Sequence, residues 1–107
     1  MRKQKQKRLK SKGWKVGTVK ELLGLSDEES AYIELKIKLA EGLRQRRQQK
    51  GWSQVDLAAK LQSSQSRVAK MEAGDPSVSL DLLIRSLISL GASERELSQI
   101  ITTPRAA

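Results

Sequence analysis

Residues 62–74 read QSSQSRVAKMEAG, a run with helical spacing and a thin apolar stripe. Val68 and Met71, three apart, point to one side of such a helix, with small Ala69 beside them. Ser64, Gln65, Ser66, Arg67 and Lys70 fall on the other side. They offer hydroxyls, an amide, a guanidinium and an ammonium, with no carboxylate among them before Glu72. This face is equipped for hydrogen bonding and charge pairing, not for breaking bonds. The sequence has no His, which removes imidazole ligands, His-based acid–base catalysis and Ser–His triads. It has no Cys, hence no disulfide framework and no thiolate metal site, which suits a reducing cytoplasm. There is no phosphate-cradling Gly loop and no paired-carboxylate site, so neither an enzyme, a metal, a cofactor nor a small-molecule substrate is expected. Asp27, Glu28 and Glu29 form an acidic cluster that helix capping explains better than chemistry.

Charge divides the chain. The net charge is +9, and residues 1–20 hold nine basic side chains and no acid, so the other 12 basic residues balance all 12 acidic ones. Beyond the tail the balance is uneven, −4 over residues 21–43, +6 over 44–70 and −2 over 71–107. The positive block is Arg44, Arg46, Arg47, Lys50, Lys60, Arg67 and Lys70, opposed only by Asp56, and it ends on the outward-facing run. No apolar stretch approaches the roughly 18 residues of a membrane span, and the basic N-terminus lacks the apolar core of a signal peptide.

The elements that must position this face are all helical. Residues 1–16 lack a repeating apolar face and read as a basic flexible tail, disordered in isolation, with Trp14 as an apolar exception. TVKELLG, ended by Gly24, predicts one or two helical turns within an extension over residues 17–38. Ser26 to Glu29 predicts a capping box for a helix running to about Lys50 and closed by Gly51. Residues 33–39, IELKIKL, alternate as a strand would, but the cap, length and Glu/Lys/Arg/Gln content favour helix. That helix places Tyr32, Leu35, Leu39 and Leu43 on one face and Ile33, Ile37 and Ala40 on a second, wider than one core needs. The surplus packs on TVKELLG or forms a dimer seam or partner site. Ser53 predicts an N-cap for SQVDLAAKL. Gln62-Ser63-Ser64 is a tight turn into the outward-facing helix, which Gly74 ends. Residues 79–90 carry Leu80, Leu83, Ile84, Leu87 and Leu90 as a core stripe, capped by Gly91. A short helix from Ser93 carries Leu97, Ile100 and Ile101. With 37% apolar residues, 3% aromatic and no Phe, the composition fits one lean helical domain.

Two short helices joined by a three-residue turn, the second polar and basic outside, look like a DNA-binding helix-turn-helix. With Gln54 first of twenty positions, the family's small residue falls on Ala58 and its apolar positions on Leu57, Leu61, Val68 and Met71. The longer string GWSQVDLAAKLQSSQSRVAKMEAGDPSVSLDLLIRSLISLGAS resembles the XRE family, the fold of lambdoid phage repressors and Cro proteins. The resemblance spans about Leu39 to Ile101 and implies a lambda-repressor-like five-helix domain over residues 39–103 with an extended first helix. It departs at Gln62, where the turn usually has Gly; a positive φ there costs Gln roughly 1 kcal/mol relative to Gly.

The resemblance also implies roles. Gln65, Ser66 and Lys70 match base-reading positions in the major groove. Gln can bond adenine N6/N7 in a bidentate way, Lys can donate to guanine O6/N7, and Ser suits either. Gln54 and Ser64 match phosphate contacts, with Arg67 beside them. Arg47 and Glu72 match an ion pair joining the first and third helices. Polar outer faces are usually plain solvated surface, but the family string and the local charge both weigh against that here. The basic tail either follows the DNA or is inert. The expected partner is double-stranded DNA, bound by a homodimer on an inverted repeat, most simply as a repressor. With no room for a ligand-sensing domain, regulation is expected through abundance, a partner or proteolysis. A second expectation is an antitoxin whose residues 1–43 order on a co-encoded mRNA-cleaving toxin, and a third is non-specific, tail-driven binding.

Overall fold

The computed structural model describes Gly24 and residues 26–104. The basic tail, Trp14 and all of TVKELLG except Gly24 lie outside the described residues. The described residues fall into two compact units, one ending at Ile33 and one starting at Glu34. In the first, Ser26 Oγ accepts the Glu29 backbone N–H at 3.1 Å and donates to its carboxylate at 3.1 Å. This cap, with acids in the first turn, starts helix α1, Asp27–Gln49. IELKIKL is helical, its alternation overridden by cap and length. The buried stripe is nonetheless narrower than the sequence suggests. Lys36, Leu39, Ala40 and Leu43 are buried, at the i, i+3, i+4, i+7 spacing of one helical face, whereas Tyr32 and Ile33 are 47% and 40% exposed. Lys36 takes a core-facing position because it shares that spacing, and a lysine stem is apolar enough to line it.

The second unit continues through α2 (Gln54–Lys60), α3 (Gln65–Ala73), α4 (Leu80–Ser89) and α5 (Glu94–Thr102). Each is started by a serine whose hydroxyl accepts the third residue's N–H: Ser53, Ser64, Ser79 and Ser93. No strand occurs among the described residues, so the fold is all-α, and no helix there is long and apolar enough to cross a membrane. Leu39 and Leu43 from α1, Leu57 from α2, Val68 and Met71 from α3, and Leu83 and Leu87 from α4 are fully buried. Val78 and Ala92, on the connecting loops, complete this core.

Two corners are built alike. After α2, the Gln62 and Ser63 N–H groups return to the carbonyls of Ala59 (3.2 Å) and Ala58 (2.8 Å). After α4, Gly91 and Ala92 return to Ile88 (2.9 Å) and Leu87 (3.0 Å). Both are Schellman turns requiring one left-handed residue, and both lead to a capping serine two residues on. That residue is Gly91 at φ 91° in one corner and Gln62 at φ 54° in the other. The second corner aims α5 at α1, which it meets at Gly42. A methyl on Gly42 would lie 2.8 Å from Ile100 Cδ1, so a larger residue there would require the Ile100 side chain to shift.

Candidate nucleic-acid interface

Burying Val68 and Met71 decides which way α3 presents its remaining side chains. Gln65, Ser66, Arg67 and Lys70 are exposed, and so is the cap residue Ser64. The Ser64 hydroxyl accepts the Arg67 N–H at 3.1 Å, so this predicted phosphate contact also holds the helix start. A hollow of about 350 Å³ runs along this face, lined by Ser64, Ser66, Arg67, Lys70, Ser77 and Val78. Four of the six predicted contact residues thus share one concavity with the loop after α3.

The other two are joined to the domain by a chain of hydrogen bonds. Gln65 Nε2 donates to Gln54 Oε1 at 2.7 Å, and Gln54 Nε2 donates to Glu72 Oε1 at 3.2 Å. Glu72 also receives Arg47, with Nε 2.6 Å from Oε2 and Nη2 3.0 Å from Oε1. This fork-to-fork geometry is the stronger form of the ion pair. Arg47 Nη1 donates to the Trp52 carbonyl at 2.7 Å, tying the α1–α2 connection into the same chain. The bond to Glu72 raises the Arg47 pKa, outweighing the lowering by burial, so the guanidinium stays charged. The predicted pair therefore lies between the Gln65 amide and the core, with side chains only 13% and 4% exposed.

The sequence does not foretell three features of this face. Ser77 enters through the loop geometry: its hydroxyl donates to Asp75 Oδ1 at 2.6 Å and its N–H to the same oxygen at 2.8 Å. These two bonds, the hydroxyl's first, hold the Asp75 pKa below the ordinary carboxylate value, with the Lys70 charge helping. Trp52 has Lys50 Nζ 5.2 Å and Lys60 Nζ 6.0 Å from its ring centroid, a cation–π arrangement of exposed ammoniums. Arg46, a member of the positive block in the sequence, turns elsewhere. Its Nε donates to the Leu90 carbonyl at 3.2 Å and its Nη1 to Glu96, so it serves the α1–α5 junction. The signal for Ser77 was its serine-rich loop beside the basic run; a pairing 50 residues apart left no signal for Arg46.

A family model described as helix-turn-helix matches residues 43–99, more than half of the chain. Comparison with curated proteins and with solved structures finds no match.

Proposed function

The chain belongs to the XRE-type helix-turn-helix family of DNA-binding regulators, and we propose that it reads a specific operator as a dimer, most simply as a repressor that occludes a promoter. The supporting observation is the chain Gln65–Gln54–Glu72–Arg47, which fixes the first residue of the outward-facing helix against the core while Ser66, Arg67 and Lys70 stay exposed. A side chain held in place before contact loses less rotational freedom on binding, so its hydrogen bonds discriminate better. Gln65, Ser66 and Lys70 are the proposed base readers, and Gln54, Ser64 and Arg67 the proposed phosphate contacts. One such module reads few base pairs, which is the reason to invoke two half-sites and a symmetric pair.

The test is binding to the DNA upstream of the protein's own gene against a scrambled duplex of equal length, near physiological salt. Gln65→Ala should lose roughly 1–3 kcal/mol of the preference. Equal binding of both duplexes by the wild type sinks the specific reading, and a truncated protein lacking residues 1–16 then shows whether charge alone drove the affinity.

A second reading adds a protein partner. Tyr32 and Ile33 stand 47% and 40% exposed on a turn that also carries the exposed acids Glu28 and Glu29. That surface suits a basic partner with apolar contacts, such as a co-encoded mRNA-cleaving toxin, and makes the chain an antitoxin as well as a regulator. Co-expression with a neighbouring basic reading frame tests it: a complex that Tyr32→Glu dissolves supports the reading, and no complex removes it.

A further inference from the structure

Behind the α2–α3 corner lies a second hollow, of about 440 Å³, within the size range of small-molecule sites. Lys60, Arg67 and Arg85 stand around it, and no acidic residue lines it. Asp81 engages only Arg85 Nε, at 3.0 Å, which leaves the two Nη groups of that guanidinium for another acceptor. Ser63, Ser86 and Ser89 add hydroxyls, and Leu61 and Leu82 add apolar wall. Ser86 is the informative member. It is 5% exposed, and its hydroxyl has no hydrogen-bond partner among the described residues. A buried hydroxyl left unpaired lowers stability unless something entering the site completes it.

We propose that this hollow binds the phosphoryl group of a small phosphate monoester. Three cations, with Asp81 paired to Arg85 Nε from outside the lining, favour a dianion, and the serine hydroxyls supply the short hydrogen bonds that a phosphoryl oxygen accepts. The apolar wall takes the carbon part of the ester. The source is a free small molecule rather than the DNA backbone, because Gln65, Ser66 and Lys70 do not line this hollow and Arg67 is the residue it shares with the reading side. Gln62, the left-handed residue of the corner, lines it too, so an occupant touches the turn that aims α3.

The test is an amide-shift titration of the full chain, without DNA, using glycerol 3-phosphate and, at matched ionic strength, glycerol with sodium chloride. Because no DNA is present, the result stands apart from the operator reading. Glycerol 3-phosphate should give saturable shifts at Gln62, Ser63, Ser86 and Ser89 that the control does not. Ser86→Ala should weaken binding at least five-fold without harming folding, since it removes an unpaired hydroxyl and leaves a methyl, and Arg85→Gln should do so by at least as much. Shifts that follow ionic strength and ignore both variants overturn the proposal. In a separate titration with a DNA duplex, a response at these residues to the duplex but not to glycerol 3-phosphate also overturns it, and would assign the hollow to the DNA backbone.

Discussion

Helices α3 and α5 are each nine residues long, start on a capping serine and follow a Schellman corner, yet they are attached in different ways. The outward-facing helix α3 sinks Val68 and Met71 fully into the core and adds the Arg47–Glu72–Gln54 bonds behind them. Helix α5 buries no residue fully; Leu97, Ile100 and Ile101 are only half covered. It is held at Gly42 and by two long cations, Arg46 to Glu96 and Lys38 Nζ to the Ile101 carbonyl at 3.1 Å. The corners differ in the opposite sense: the relaxed glycine leads to the loosely packed helix, and the strained glutamine to the firmly packed one. A short helix can thus be oriented by a strained turn when its far side is anchored, and α3 has the anchor.

This contrast is open to attack by mutation. Met71→Ala should cost about 2–5 kcal/mol in urea unfolding, against about 1 kcal/mol for Leu97→Ala; equal costs would break the comparison. Next in size is Arg47→Met, expected to lower stability by about 3 kcal/mol because it strands the nearly buried Glu72, whereas Glu96→Gln at the α5 end should hardly move the midpoint. An unchanged Arg47→Met midpoint would mean that the chain of bonds orients without stabilising. The corners come third. Gln62→Gly should stabilise and Gly91→Ala destabilise, each by about 1 kcal/mol, and thermal melts of the two would show whether the strain resides where φ places it.

The smallest effect is the pH dependence at the two helix ends. Glu96 is held below its ordinary pKa chiefly by the hydrogen bond from Arg46, and Asp75, just beyond α3, by its bonds from Ser77. Carboxylates with lowered folded values contribute stability above their unfolded pKa and lose it as pH falls through the folded one. Carboxyl titrations by NMR should therefore return Glu96 towards its ordinary value in Arg46→Gln and Asp75 in Ser77→Ala, with no cross-effect between the ends.

The elements were legible because their signals are local. Ser53, Ser93, Gly74 and Gly91 announce caps within a few residues, and the Leu83–Leu87–Leu90 stripe announces a core face. The positive φ at Gln62 was legible only through the family's turn, since nothing in QSS itself demands it. What escaped depends on tertiary distance. The Gln54–Gln65 bond joins residues 11 apart on different helices, and Arg46 leaves the basic block for a glutamate 50 residues away. Lys36 was hidden for another reason: a charged residue on a buried stripe looks like surface until the helix phase is known.

The chain of hydrogen bonds behind α3 also has a direction. Glu72, as a carboxylate, only accepts, so Gln54 must turn its NH₂ inward and its carbonyl outward. Gln65 must then spend one N–H on that carbonyl. A carboxylate in the interior thereby dictates which way two amides point, and it leaves the outermost one with one N–H and one oxygen unspent. That pair, one donor beside one acceptor, is the complement of an adenine edge and a mismatch for the two acceptors of guanine.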